Sequence, residues 1–368
     1  MKPLKIVLIS APIGAGHKKA ASALGEALEE MDSTCIVKYI DIFDFLPKKI
    51  VKTGLLLYFK SLIYLPNLYA NAYRWGNHSK LAIWGRAGLS FLLSKKLKKF
   101  LAEWKPDAIV CTHASATAAV DYVLRKEKNK IYHVGVVTDF VIHRLWLSDT
   151  VSEYFIYDTT LIEENIKQFV DSNKFYGYGI PIAKKFKPAS NKGEAGKEKT
   201  ILIMGGGAGL LPMPLLLQEL NKVKIPLKLI VLTGSNHCLL KTLRKMIPNI
   251  RHSIELMGFS DQVADLMKKA DLLISKPGGI SVAEAIGVGL PMIIYRPLPG
   301  QEQANMRFLL KNRVAIEVQK IEEFPERIDK IFRIDNNVLS NLRKNIAEIA
   351  KPNAAEQIAK HILNKLYN

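Results

Sequence analysis

The chain has 368 residues, room for about two domains of ordinary size, and 48% of them are apolar, which excludes a disordered chain. Three widely spaced cysteines with no CxxC pair exclude a disulfide framework and a structural zinc site, and suit a reducing cytoplasm. The formal net charge is +19, yet no stretch reaches the ~18 consecutive apolar residues of a membrane-spanning helix.

Lys2 and Lys5 precede an apolar run that is too short for an export signal and passes straight into Gly14-Ala15-Gly16-His17. The run Lys5–Ser10 is therefore expected to be a first strand, followed by a glycine loop and a helix over the small residues from Ala20. Further strands are expected at Cys35–Ile40, Ala108–Cys111, His133–Val137 and Tyr154–Tyr157. Between the second and third of these, residues 51–100 hold nine Lys or Arg side chains and no acidic residue, mixed with Leu, Trp and Tyr. Such a mixture describes a segment lying apolar side down on an anionic membrane interface, or a pair of ordinary packed helices with solvated lysines. It is too apolar for a phosphate-tracking surface and no nucleic-acid-binding motif accompanies it, so nucleic acid is not an expected partner.

Polar residues 184–197, with Pro and Gly, read as a linker, and the strand pattern then restarts at Thr200–Met204, Leu227–Thr233, Ile254–Met257, Leu272–Ser275 and Met292–Tyr295. A last helical stretch runs from about Asn337 to Leu366, interrupted at Pro352. The expected architecture is α/β, two Rossmann-like domains facing a cleft: residues 1–187, a linker over 188–199, and 200–368 including the C-terminal helix. Each half opens with a strand and a glycine loop, but neither loop reads G-x-G-x-x-G, because Lys19 stands where the first would need its third glycine. That weighs against a dehydrogenase, although Asp41 is suitably placed for a ribose.

The chemistry is concentrated in three places. His17 follows a glycine turn at the end of the first strand, where it can take the proton of an attacking hydroxyl or simply cap the next helix. His113, Asp139, His143 and Trp146 gather near the ends of two other strands; Asp139 can orient a histidine or contact an acceptor, and Trp146 can pack against lipid or sugar, or each can be structural. The third place is ISKPGGISVAEAIGVGLPMIIYRPLPGQEQAN, from Ile274 to Asn305. The turn at Lys276–Gly279 opens a helix whose N-terminus suits an anion, and with the loop of Gly205, Gly206, Gly207 and Gly209 it can hold a diphosphate. Lys276 adds a charge there or stays on the surface. Glu284 lies near enough to meet hydroxyls beside the phosphate, with Gln301, Glu302 and Asn305 further out. No D-x-D triplet supplies a metal-binding carboxylate pair, so no metal and no cofactor are expected beyond a nucleotide-sugar substrate.

Together, Gly14-Ala15-Gly16-His17, Val137-Thr138-Asp139 with His143 and Trp146, and the block from Ser275 to Asn305 resemble the monogalactosyldiacylglycerol synthase and processive diacylglycerol glucosyltransferase group of glycosyltransferase family 28. The resemblance spans residues 5 to about 310 and implies a GT-B fold. It further implies inverting transfer of glucose or galactose from a UDP-sugar to diacylglycerol, by a cytoplasmic protein bound peripherally to the inner, anionic face of the cell membrane. By position it makes His17 the acceptor-activating base, with Asp139 beside it, and His143 and Trp146 acceptor-side residues. Glycines 205–207, 209, 278 and 279 would face the diphosphate, Phe259 the uracil, Glu284 the ribose, and Gln301 and Glu302 the hexose. Alternatives are an N-acetylglucosaminyltransferase acting on a lipid-linked peptidoglycan precursor, a UDP-sugar epimerase of the same fold, and a non-catalytic sugar-nucleotide sensor.

Overall fold

A computed structural model of the chain describes residues 2–12, 16–64, 80–127, 130–188, 198–333 and 337–368. The glycine turn before His17 (13–15), part of the basic aromatic stretch (65–79) and the centre of the linker (189–197) lie outside the described residues. The chain divides into two compact units, one of residues 1–184, 298–301 and 353–368, the other of 185–297 and 302–352.

The first unit contains β1 (Lys5–Ser10), α1 (Gly16–Met31), β2 (Ile36–Asp41), α2 (Lys48–Tyr64), α3 (Lys80–Trp104), β3 (Ala108–Cys111), α4 (Ala114–Leu124), β4 (Tyr132–Val136), β5 (Glu153–Phe155), α5 (Glu164–Lys167) and β6 (Phe175–Tyr176). Its strands form one parallel sheet in the order β2-β1-β3-β4-β5-β6. The second unit contains β7 (Lys199–Met204), α6 (Met213–Leu220), β8 (Leu227–Leu232), α7 (His237–Met246), β9 (Ser253–Met257), α8 (Val263–Lys269), β10 (Leu272–Ser275), α9 (Gly279–Val288), β11 (Met292–Tyr295), α10 (Gln301–Lys311), β12 (Ala315–Val318), α11 (Phe324–Ile331) and α12 (Val338–Ile349). Its parallel sheet has the order β12-β11-β10-β7-β8-β9. Strand order therefore reverses between β1 and β3 in one sheet and between β7 and β10 in the other, the places where open α/β sheets leave a crevice at their C-terminal edge.

The central strands read as continuous apolar runs because helices cover both faces. Val7, Ile9 and Ile109 are buried on one side of the first sheet with Leu93, Leu97 and Leu101 of α3. Ile6, Leu8 and Val110 are buried on the other side with Leu24 and Leu28 of α1. Helix α3 has two different faces. Leu93, Leu97 and Leu101 repeat every four residues and form an ordinary packed stripe, while Phe91 and Leu92 stand 63% and 65% exposed beside exposed Lys95, Lys96, Lys98 and Lys99.

One helix departs from the sequence reading, which placed it in the second domain. The last helix, α13 (Ala354–Tyr367), packs in the first unit, its Ala355, Ile358, Ala359, Ile362 and Leu363 sharing a core with Ala23, Leu24 and Ala27 of α1. Small residues on α1 let the two helices approach closely, and nothing in the sequence of α13 names its partner. Tyr367 donates a hydrogen bond to Asp32, and His361 Nε2 lies 3.0 Å from the Glu153 carboxylate. Strands β6 and β12 were also absent from the sequence reading: β6 is two residues long, and β12 carries Glu317 inside a four-residue run.

Ile362 is fully buried, so Ile362→Ala should cost about 2–5 kcal/mol through lost transfer and the cavity left behind. Thermal unfolding combined with hydrogen exchange at α1 amides tests its placement. Protection of α1 should fall with Ile362→Ala and stay unchanged with the exposed Lys365→Ala.

Candidate active site

In the first unit the loops after β1, β3 and β4 converge on one imidazole. His17 lies in the first turn of α1, but its ring turns away from the helix: Nδ1 is 2.9 Å from the Thr112 carbonyl oxygen and 2.7 Å from Thr138 Oγ1. The helix-capping reading of His17 therefore fails. A carbonyl oxygen can only accept, so Nδ1 carries the proton and donates it, shared with Thr138 Oγ1. Nε2 is left with its lone pair. The Thr112 hydroxyl donates to the His17 carbonyl at 3.0 Å, closing the clamp from the other side. Burial holds the His17 imidazole below its ordinary value of 6.5, while the Asp139 carboxylate and the bond to Thr112 act in the opposite sense. The ring is consequently neutral at neutral pH, with a carboxylate nearby to stabilise the imidazolium once a proton arrives.

The remaining first-unit residues separate into two groups. Asp139 and His143 are buried at the ends of the same loops, 9% and 8% exposed. His143 Nε2 accepts from the Gln301 side-chain amide at 3.1 Å. Trp146, expected to touch an acceptor, is 1% exposed and packs with Val137, Ile142 and Tyr154. It is a core residue, and its bulk supports the strand ends from below. Thr112 and Thr138 went unrecognised in the sequence, although each stands just past the apolar run of a strand, the position that made the glycine loops conspicuous.

In the second unit the glycine loop after β7 interlocks with the loop after β8. Gly209 has φ +62, and a Cβ there would sit 2.5 Å from the Thr233 carbonyl; Gly234 has φ +60 and would put one 2.3 Å from the Gly207 carbonyl. Only glycine fits both requirements. Ser235 donates to the Gly207 carbonyl from its backbone N–H and its hydroxyl, each at 2.9 Å. Gly209 thus serves loop packing, while Gly205, Gly206 and Gly207 form the turn that packing holds.

The turn after β10 delivers the N-terminus of α9. Its N-cap is Gly278, with φ −69 and ψ 133 and no side-chain cap, so the first backbone N–H groups of the helix have no donor-consuming side chain in front of them. A Cβ on Gly278 would meet nothing within 4 Å. The uncapped N-terminus of a ten-residue helix is a place that suits an anion. Lys276 is not on the surface: its ammonium lies 2.6 Å from the Glu302 carboxylate, with side chains 10% and 15% exposed. Its stem runs 3.9 Å from where a Gly206 Cβ would be, which ties the two loops at the β7/β10 reversal together.

Other expected donor residues divide by burial. Asn305 is 0% exposed and donates from its amide to the Pro277 carbonyl at 3.0 Å, so it holds the turn and offers a ligand no surface. Glu284, in the second turn of α9, is 2% exposed. Phe259, just past β9, is 69% exposed, a flat apolar face in water. Gln301 and Glu302 were expected on one sugar, yet Gln301 bonds His143 and Glu302 bonds Lys276. Consecutive helical residues point about 100° apart, so these two neighbours face different partners.

Two doubly wound parallel sheets, each with its strand order reversing near the centre, define a fold of the GT-B type. Residues 17–182 match the monogalactosyldiacylglycerol (MGDG) synthase family and residues 200–363 the glycosyltransferase family 28 C-terminal domain. The chain is 26% identical to the processive diacylglycerol beta-glucosyltransferase of Bacillus subtilis (strain 168), over 98% of this chain and 95% of that one. Its fold resembles MurG of Acinetobacter baumannii, with TM-score 0.66 and 16% identity over 98% of this chain and 100% of that one. It also resembles the UDP-GlcNAc 2-epimerase of Neisseria meningitidis, with TM-score 0.61 and 15% identity over 98% and 100% of the two chains. The chain belongs to glycosyltransferase family 28, in its MGDG synthase group, and is a glycosyltransferase.

Two outcomes follow from this geometry. A base role for His17 requires its neutral form, and predicts that kcat/KM is lost as pH falls through a value below 6.5. Asp139→Asn removes an influence that raises that value, so the acid limb should move to lower pH while the plateau rate drops; a pH–rate profile in which the limb stays fixed would remove Asp139 from this role. Gly209→Ala should lower stability by about 1–3 kcal/mol, whereas Gly278→Ala should cost less than about 1 kcal/mol, and an anion site at the α9 start predicts that it weakens UDP binding measured by calorimetry.

Proposed function

We propose that the protein transfers a hexose, glucose or galactose, from a UDP-sugar to the hydroxyl of diacylglycerol with inversion, at the inner face of the cell membrane. The observation that carries this reading is the orientation of His17: Nδ1 is committed to a backbone carbonyl 2.9 Å away, leaving Nε2 as a base. The same part of the chain matches the MGDG synthase family, and relatives of nearly full length are named for diacylglycerol glucosyltransfer.

The acceptor hydroxyl loses its proton to His17 Nε2 as its oxygen bonds to the anomeric carbon. On the opposite face the bond from that carbon to the UDP oxygen breaks, and its electron pair leaves with UDP. Charge gathering on the diphosphate is met by the N–H groups at the start of α9 and by the glycine turn, preorganised donors that need no rearrangement. The Lys276–Glu302 pair presents a carboxylate fixed by its partner, suited to sugar hydroxyls. Phe259 offers its exposed face to the uracil, and Glu284 is the carboxylate for the ribose. No metal is needed in this scheme.

The peripheral membrane reading rests on exposed Phe91 and Leu92 beside four exposed lysines of α3, and on Leu56 and Leu57 of α2, 54% and 62% exposed. Among the described residues no helix is long and apolar enough to cross a membrane.

Diacylglycerol vesicles offered with UDP-glucose, UDP-galactose and UDP-N-acetylglucosamine in parallel should give a glycolipid with one of the first two. A new UDP-sugar formed without lipid would point to an epimerase, and an N-acetylglucosaminyl product to the peptidoglycan-type reaction. His17→Ala should abolish transfer with UDP affinity nearly intact, and EDTA should leave turnover unchanged. Sedimentation with anionic vesicles should weaken as salt rises; binding indifferent to both salt and anionic lipid would refute the membrane proposal.

A further inference from the structure

A second imidazole touches His17. The His113 and His17 rings are in edge contact, with centroids 4.5 Å apart and planes at 88°. His113 is the N-cap of α4, and its Nδ1 accepts the Ser115 backbone N–H at 3.1 Å, with the Ser115 hydroxyl 2.7 Å from the same nitrogen. A backbone N–H can only donate, so Nδ1 of His113 carries no proton and Nε2 does. At His17 the backbone partner is a carbonyl 2.9 Å away, which demands the reverse. Two backbone groups of opposite polarity thus lock two touching imidazoles in opposite tautomers. Burial, with His17 and His143 nearby, holds His113 well below its ordinary value, so it stays neutral and keeps its Nε2–H.

We propose that His113 is a second catalytic residue, which donates from Nε2–H to the same acceptor hydroxyl oxygen whose proton passes to His17 Nε2. The inference rests on the reading of His17 as the base. The hydroxyl is then held by one nitrogen that can only give a hydrogen bond and one that can only take it. As the O–H bond breaks toward His17 and the oxygen bonds to the sugar carbon, the His113 hydrogen bond remains in place and strengthens on the negative charge the oxygen develops. No proton leaves His113, so the step balances with His17 alone changing protonation. One lone pair of the oxygen is occupied by His113, which turns another toward the electrophile. A capping role would need only Nδ1, and Asn performs that well.

The test compares His113→Asn, His113→Gln and Ser115→Ala with wild type and His17→Gln, using diacylglycerol vesicles and the UDP-hexose that wild type turns over. His113→Asn keeps an oxygen for the cap and lacks the remote N–H. It should lower kcat about ten- to hundredfold, with thermal midpoint, UDP affinity and the shape of the pH profile unchanged. In His113→Gln the longer amide reaches toward the place of Nε2, and part of the loss should be restored. Ser115→Ala should behave nearly as wild type. Unchanged kcat in His113→Asn, or a loss matched by a fall in thermal midpoint in both His113 variants, overturns the proposal. Retained transfer in His17→Gln overturns instead the base reading on which it rests. Independently of turnover, nitrogen-15 NMR of the histidine rings should show the proton on Nε2 in His113 and on Nδ1 in His17; the same tautomer in both refutes the pairing.

Discussion

The reversal of strand order in a parallel sheet is the constraint on which the rest depends. Where neighbouring strands send their connections to opposite faces, the loops leaving their C-terminal ends part and a crevice opens. In the first sheet this happens between β1 and β3, and the loops that part there carry His17 on one side and Thr112 and His113 on the other. In the second it happens between β7 and β10, and the loops carry Gly205–Gly207 and the Lys276–Gly279 turn. His17, Thr112, His113, the Gly205–Gly207 turn and Lys276 all stand at one of these two places.

What the crevice edges supply is mainly backbone polarity. The Thr112 carbonyl sets the tautomer of His17, the Ser115 N–H sets that of His113, and the start of α9 carries no side-chain cap over its N–H groups. These groups cannot rotate away or titrate, so each fixes the chemistry of the side chain or ligand beside it. Side chains refine what the backbone sets up. Thr138 shares the His17 proton, Asn305 pins the Pro277 carbonyl, and Lys276 fixes the carboxylate of Glu302. The buried Lys276–Glu302 pair is a poor source of stability, since desolvation of two charges offsets their attraction. Its value lies in orientation.

Ten strands lie where hydrophobic patterning put them, within a residue or two, and the central ones were plainest because a strand covered on both faces must be apolar throughout. The two others, β6 and β12, were too short or too polar to show. The family block at the C-terminus announced the α9 turn through Pro277, Gly278 and Gly279, residue types that leave few backbone choices. The same reading erred where a residue type serves two masters. Trp146 looked like an acceptor contact and is core, Asn305 looked like a sugar ligand and is a turn clamp, and α13 looked like part of the second domain and packs on α1.

Sequence alone determined the α/β class, the two sheets and their strands, the residue types available at each strand end, and, by resemblance, the family. Those follow from local rules, period and turn chemistry, which act between neighbours in the chain. Tertiary structure decided which nitrogen of His17 holds a proton, that Lys276 meets Glu302 while Gln301 meets His143, and that the chain's last helix completes its first unit. Each of these pairs residues 26 to 330 or more positions apart, or depends on the direction of a backbone dipole. No local rule carries that information, because it exists only once the strands have taken their order.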